Sequence, residues 1–149
     1  KFRFLRNYII KEKNYNLILK KMMKEKKTNK KSLSKNLWLK NHHLKILSNK
    51  GHEIGLHCYN HPYLLEKLSY SNQKKQLIKN YNHIFKVTKK KPICISYPNG
   101  SFNKNTIKII KNLNLKFAFI SNMYAKKNIV KNYVIPRVDH STLLKKLTK

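Results

Sequence analysis

Two histidines four residues apart, in the run His57-Cys58-Tyr59-Asn60-His61-Pro62, carry the strongest local chemical signal in the chain. Neutral imidazole suits zinc and similar divalent ions, and two rings on a turning segment can converge on one ion. The plainer alternative is a strand-end histidine followed by a turn histidine before Pro62. A helical H-E-x-x-H metal site is excluded, because Cys58 stands where the general-base Glu would be. Tyr97-Pro98-Asn99-Gly100 reads on its own as a turn, with Gly100 allowing a tight backbone. Carboxylates are scarce: Glu12, Glu25, Glu53, Glu66 and Asp139 are the whole set. Glu53 lies about 13 Å from His57 at the rise of a strand and cannot share its ion. Glu12, Glu25 and Glu66 sit beside Lys residues and are expected in solvent, with Asp139 left as a strand-end cap or a site residue.

Something must position these groups, and the apolar pattern says what. Residues 1–31 read as a Lys-rich helical stretch broken by TNKKS at 28–32. Residues 36–49 read as a helix anchored by Leu37, Trp38, Leu44, Ile46 and Leu47, with Gly51 as its stop. EIGLHC (53–58) has the length of a buried strand. A helix over 71–89, capped by Ser69 or Ser71, would bury Leu77, Ile78, Tyr81, Ile84 and Phe85. ICISY (93–97) is the next strand. A helix capped by Asn103 or Asn105 then runs to Leu113, burying Ile107, Ile109 and Ile110, and KFAFIS (116–121) follows as a strand. YVIPRV (133–138) is an edge or terminating strand, because Pro136 cannot donate to a ladder. This alternation implies an α/β fold of parallel strands joined by right-handed crossovers. Sites in such folds lie beyond the carboxyl ends of the strands. Four clusters fall there: His57, Asn60 and His61; Pro98 to Ser101; Ser121 and Asn122; Asp139 and His140.

At 149 residues the chain suits one domain and is too short for a complete eight-stranded barrel, which takes roughly 250. Its 35 basic and 5 acidic residues give a net charge of +30. Arg occurs only at positions 3, 6 and 137, so the bidentate contacts of sequence-specific nucleic-acid recognition are not expected. The Lys excess reads either as the coding bias of an AT-rich gene or as a polyanion-binding surface. Cys58 and Cys94 lie in apolar runs and make no secreted disulfide framework. No run reaches the ~20 apolar residues of a membrane span. KFRFLRNYII is too short to be a signal peptide, so a cytoplasmic place is favoured. A start at Lys1 suggests a portion of something longer.

The run GHEIGLHCYNHPYLLEKLS resembles the second motif of the polysaccharide deacetylases with a NodB homology domain, the family 4 carbohydrate esterases. ISYPNGSFNKNTIKIIKNLNLKFAF is similar to their third motif, and VIPRVDH to a later I-P-R segment. The resemblance is collinear over about residues 36–140 of a single incomplete domain, 1–149. It implies a partial, distorted (β/α) barrel and metal-dependent removal of N-acetyl or O-acetyl groups from a polysaccharide. On that pattern His57 and His61 would bind a divalent metal, zinc above all. The Asn99 N–H would receive the oxyanion, Tyr97 and Pro98 would line the substrate groove, and His140 would protonate the leaving amine. Outside that pattern, Arg137 reads equally as a residue that orients a carboxylate or the substrate and as a plain surface residue. The family's first motif, an Asp pair, is missing, as is an Arg of the third, and Cys58 replaces a Ser or Thr. Asp139 is the one substitute base on the same rim. The expectation is therefore a truncated deacetylase domain of doubtful activity, its oligomeric state open. A Lys-rich polyanion or nucleic-acid binding domain on the same scaffold is the alternative, and an inert remnant the third reading.

Overall fold

The computed structural model describes residues 4–5, 9–10, 12–35, 37–121, 132–138 and 140–147. The chain divides into two compact units, Lys1–Leu39 and Lys40–Lys149. In the first, α1 spans Glu12–Glu25 and α2 spans Lys30–Ser34. The expected break falls at residues 26–29, where Lys27 turns left-handed with φ 48°. TNKKS is not all breaker, however. Asn29 accepts the Ser32 N–H at 3.2 Å and starts α2, as a short polar N-cap does. None of the described residues in this unit is buried.

The second unit is ordered by its caps. Helix α3 (Asn41–Asn49) begins five residues later than expected, leaving Leu37 and Trp38 outside it and exposed. Ile46, read as an anchor, is exposed as well. The helix ends at Gly51, whose φ of +89° brings its own N–H to Ser48 O at 3.2 Å and His52 N–H to Leu47 O at 3.1 Å. That double closure satisfies two end carbonyls. Helix α4 (Tyr70–Thr88) is capped by Ser69, which accepts the Asn72 N–H at 3.3 Å. Leu77 and Ile84 are buried as expected, but Phe85 is exposed and Gln73 and Thr88 take buried places instead. Gln73 stays buried because its amide is used at both ends: Nε2 donates to Leu68 O, and Oε1 accepts from Thr106 Oγ1 at 2.6 Å. Thr106 belongs to α5 (Lys104–Asn112), whose N-cap is Asn103.

Strands β1 (Cys94–Ser96), β2 (Phe117–Ile120) and β3 (Ile135–Pro136) form one parallel sheet in that order. Cys94 pairs with Phe117, Ile95 with Ala118 and Phe119 with Ile135. The strand expected at 53–58 is reduced to a single parallel bridge, Leu56 to Ile95. It ends where Cys58 leaves extended geometry at φ 63°. Beside it, the Ile93 N–H goes to the Glu53 carboxylate at 3.1 Å. Sequential parallel order winds one way round with no reversal, as in barrels and unlike doubly wound sheets. The sheet is a partial one, with Pro136 on its edge strand as the sequence implied. Ile95, Tyr97, Ala118 and Ile120 are buried in one core with Leu77 and Ile84 of α4 and Ile109 and Ile110 of α5. The short helix α6 spans His140–Leu147.

Candidate active site

Beyond Leu56 the chain passes the carboxyl end of β1 and turns at Cys58 (φ 63°) and His61 (φ 49°). Two amides from α4 hold this loop. Asn80 Oδ1 accepts the His57 N–H at 2.8 Å, and Gln76 Oε1 accepts the Asn60 N–H at 2.8 Å. The turn thus gains side-chain acceptors from a neighbouring helix, whereas Cys58 itself is buried and offers little. Burial pushes the Cys58 thiol up to about 12, so it stays neutral and unreactive near pH 7. Cys94 is raised as well, first by burial and then by the Glu53 carboxylate.

The two imidazoles meet. Their ring centres lie 4.7 Å apart at 65°, edge to face, and both residues are exposed. His57 Nδ1 sits 2.6 Å from Ser96 O; a carbonyl only accepts, so Nδ1 carries a proton, and in the neutral ring Nε2 is the atom with the free lone pair. A backbone carbonyl behind a ligating imidazole is the usual device for fixing ring orientation. The donor chemistry of the pair therefore fits a borderline divalent ion. A third protein ligand does not join it: among the described residues no three His, Cys, Asp or Glu side chains come close enough to hold an ion. Asp139, the expected substitute, and Asn122 lie outside the described residues.

The second motif loop runs from Tyr97 to Asn103. Pro98–Gly100 forms one 3-10 turn with Asn99 left-handed at φ 53°. Gly100 (φ 71°) admits no side chain, since a Cβ there would lie 2.6 Å from Ser121 Oγ. The Gly100 and Ser101 N–H groups close the turn on Tyr97 O and Pro98 O at 3.0 and 2.9 Å. The Asn99 N–H is not one of the turn's donors. Tyr97, expected to line a groove, has no exposed surface: its ring stacks on Phe102 at 4.6 Å and its hydroxyl donates to Tyr133 O. Pro98 is fully buried too. The reason is strand alternation, which puts Tyr97 on the same face as buried Ile95. Burial, with Tyr133 nearby, pushes the Tyr97 phenol above its ordinary range. Arg137 reaches back from beyond β3 to Ile120 O at 3.4 Å, so it stands at the carboxyl end of the sheet. His140 is exposed at the start of α6.

A staple between the two loops escaped the sequence reading. Ser101 Oγ donates to Glu66 Oε2 at 2.9 Å and accepts the Glu66 N–H at 3.1 Å. Asn103 Nδ2 donates to Glu66 O at 2.9 Å, and Asn99 Nδ2 to Tyr63 O at 3.2 Å. Glu66 is therefore a half-buried structural link and not the solvated residue its Lys67 neighbour suggested.

The sequence matches the description "Polysaccharide deacetylase" over residues 12–118. No curated protein matches the chain. Among solved structures, the chain is similar to the Streptococcus pyogenes deacetylase PplD in complex with acetate, at 24% identity and TM-score 0.60, over 72% of this chain and 50% of that one. It is also similar to the BpsB deacetylase domain of Bordetella bronchiseptica, at 15% identity and TM-score 0.58, over 67% and 48%. A CE4 family pseudoenzyme from Bacillus anthracis matches at 18% identity and TM-score 0.52, over 85% and 50%. The chain thus spans about half the length of these proteins. At such identities the likeness is one of fold.

Proposed function

The chain belongs to the polysaccharide deacetylase family, and on that premise we propose that it serves the metal-dependent hydrolytic removal of acetyl groups from a polysaccharide. The observation that carries the reading is the adjacent His57 and His61 pair, with Nδ1 of His57 tied to Ser96 O. These two residues would hold a divalent ion, zinc by the softness of imidazole. When bound, such an ion lowers the pKa of water and polarises an acyl oxygen. The chain's own part is to orient His57 through Ser96 and Asn80, and to hold the Asn99 loop against the His loop through the Glu66 staple. The Asn99 N–H would donate to the oxyanion of the reacting carbonyl. Arg137, at the same end of the sheet, would hold the acetylated glycan, and His140 would protonate the departing amine. Tyr97 and Pro98 act here only by shaping the backbone.

No described carboxylate stands beside the histidine pair, so the proton of the attacking water has no strong acceptor among the described residues. General-base catalysis is worth about 10²–10⁴-fold, and the chain alone should be slower than a complete site by that order. Titration calorimetry with Zn²⁺ tests the assignment: weak binding is expected, abolished in His57→Ala. Equal binding by the variant would refute it. Acetate release from a chitin-type oligosaccharide tests the base. Rapid release by both the native chain and Asp139→Asn would mean that Asp139 is not required and that the missing Asp pair sets no limit.

A further inference from the structure

None of the residues assigned to that chemistry lies in the Lys1–Leu39 unit, yet its surface is far from neutral. Tyr15, Ile18, Leu19, Met22 and Met23 recur at the spacing of one helical face of α1. Ile18 is 45% exposed, Leu19 38% and Met22 52%. Lys20, Lys21 and Lys24 occupy the other side of the helix and are exposed. Past α2 come Leu37, Trp38 and Leu39, each about two-thirds or more exposed. Residues 1–39 hold thirteen Lys and Arg against two Glu. Apolar and cationic surface are thus presented together.

We propose that this unit docks on an anionic lipid bilayer, with the apolar face of α1 and the Trp38 run entering the headgroup region. Three partners can be compared on charge and apolar surface. A nucleic acid would use the lysines but gain nothing from exposed Ile18, Leu19 and Met22. A second copy would cover the apolar face, but it brings the same +30 charge to the contact. An anionic bilayer satisfies both. Lysine stems can lie along the interface while their ammonium groups meet phosphate. At 14 residues α1 is about 21 Å long, which suits a helix lying in the interface plane. No described helix is long and apolar enough to cross a membrane. Trp is the residue favoured at headgroup depth.

Trp38 is the sole tryptophan, so its fluorescence reports on this segment alone. The full chain is mixed with phosphatidylcholine vesicles made with and without phosphatidylglycerol. A blue shift of Trp38 and co-sedimentation are expected with the anionic vesicles only, and brominated lipid should quench the emission. Ile18→Glu/Met22→Glu and Lys20→Glu/Lys24→Glu should each weaken binding by about tenfold or more. Unchanged far-ultraviolet dichroism and zinc titration keep folding and the deacetylase reading separate from this result. Absence of any shift or quenching would overturn the proposal. So would wild-type affinity in Ile18→Glu/Met22→Glu, which would mark plain polyanion adhesion. A dimer in sedimentation equilibrium that Ile18→Glu/Met22→Glu breaks, without vesicle binding, would assign the face to a second copy and overturn it too.

Discussion

Residues 1–39 and 40–149 are built from similar material, with Lys throughout and apolar residues throughout, but they bury it differently. Leu65, Leu77, Ile95 and Ile110 of the second unit have no exposed surface, while Leu33, Leu37, Trp38 and Leu39 of the first are each at least 60% exposed. Composition does not separate them. What separates them is registration between elements. In the second unit the apolar residues of α4 and α5 fall on the face that meets alternate residues of β1 and β2, and each helix has a cap that fixes where it starts. In the first, α2 is five residues long with nothing buried, and the apolar stripe of α1 keeps Ile18, Leu19 and Met22 exposed. An amphipathic stripe is therefore a request for a partner, and only the second unit answers it internally.

The sharpest way to break this contrast is to cut the packed unit. Leu77→Ala removes a side chain with no exposed surface from the middle of α4, leaving a cavity among Ile84, Ile95 and their neighbours. A loss of about 2–5 kcal/mol is expected in urea unfolding. A cost near zero would mean that the core does not hold this unit together. Next comes the staple. Ser101→Ala deletes the hydroxyl that both donates to Glu66 and accepts its N–H, at a buried position. Leaving a half-buried amide and carboxylate unpaired should cost about 1–3 kcal/mol. The same substitution should loosen the Asn99 loop, seen as faster amide exchange at Gly100 and Ser101.

How much of this was legible in the sequence follows the range of each interaction. Gly51 was readable as a helix end, and Ser69 and Asn103 each as one of two candidates, because capping is decided within a few residues. The parallel sense of the strands was readable from alternation, and the edge position of Pro136 from its missing N–H. The strand at 53–58 was not: its pairing stops where Cys58 turns left-handed, and that turn has no local signature. At the site, spacing left the convergence of His57 and His61 open against a plain turn, and the family resemblance favoured it. The supports that hold the loop, Asn80 and Gln76, come from a helix about 20 residues away. The Glu66–Ser101 staple joins residues 35 apart, and no pattern in either segment announces it. Tyr97 is the instructive miss, since the alternation that placed Ile95 inside also placed Tyr97 inside.

Cys58 offers a titration that belongs to the packed unit alone. Its folded pKa, about 12, lies above the ordinary thiol value, so the fold favours the neutral form. The corresponding stability is complete below about pH 8.5 and is lost as pH rises towards 12. The slope for one proton is about 1.4 kcal/mol per pH unit. Other charge effects of the +30 chain over this range act on the native chain and on its variant alike. The difference between the native chain and Cys58→Ala removes that shared background. Urea midpoints between pH 8 and 10.5 should fall faster for the native chain; parallel curves would mean that the thiol is solvated.

The smallest effect is expected where the contrast is most informative. Leu19→Ala in α1 deletes as many heavy atoms as Leu77→Ala, in a helix of comparable kind, at a position already 38% exposed. Alanine is also the best helix former, which offsets part of any lost contact. With over a third of the side chain already in solvent, the change in unfolding free energy should stay within about 0.5 kcal/mol, the usual range for surface substitutions. The pair of measurements, Leu77→Ala and Leu19→Ala, holds the chemistry of the substitution constant and varies only what surrounds it. If Leu19→Ala instead cost about 2 kcal/mol or more, a Leu-sized cavity would have opened, because that is the lower bound of the buried series. The stripe of α1 would then be covered by protein in solution, and the division between a packed and an unpacked unit would fail along with the exposed face that the bilayer proposal requires.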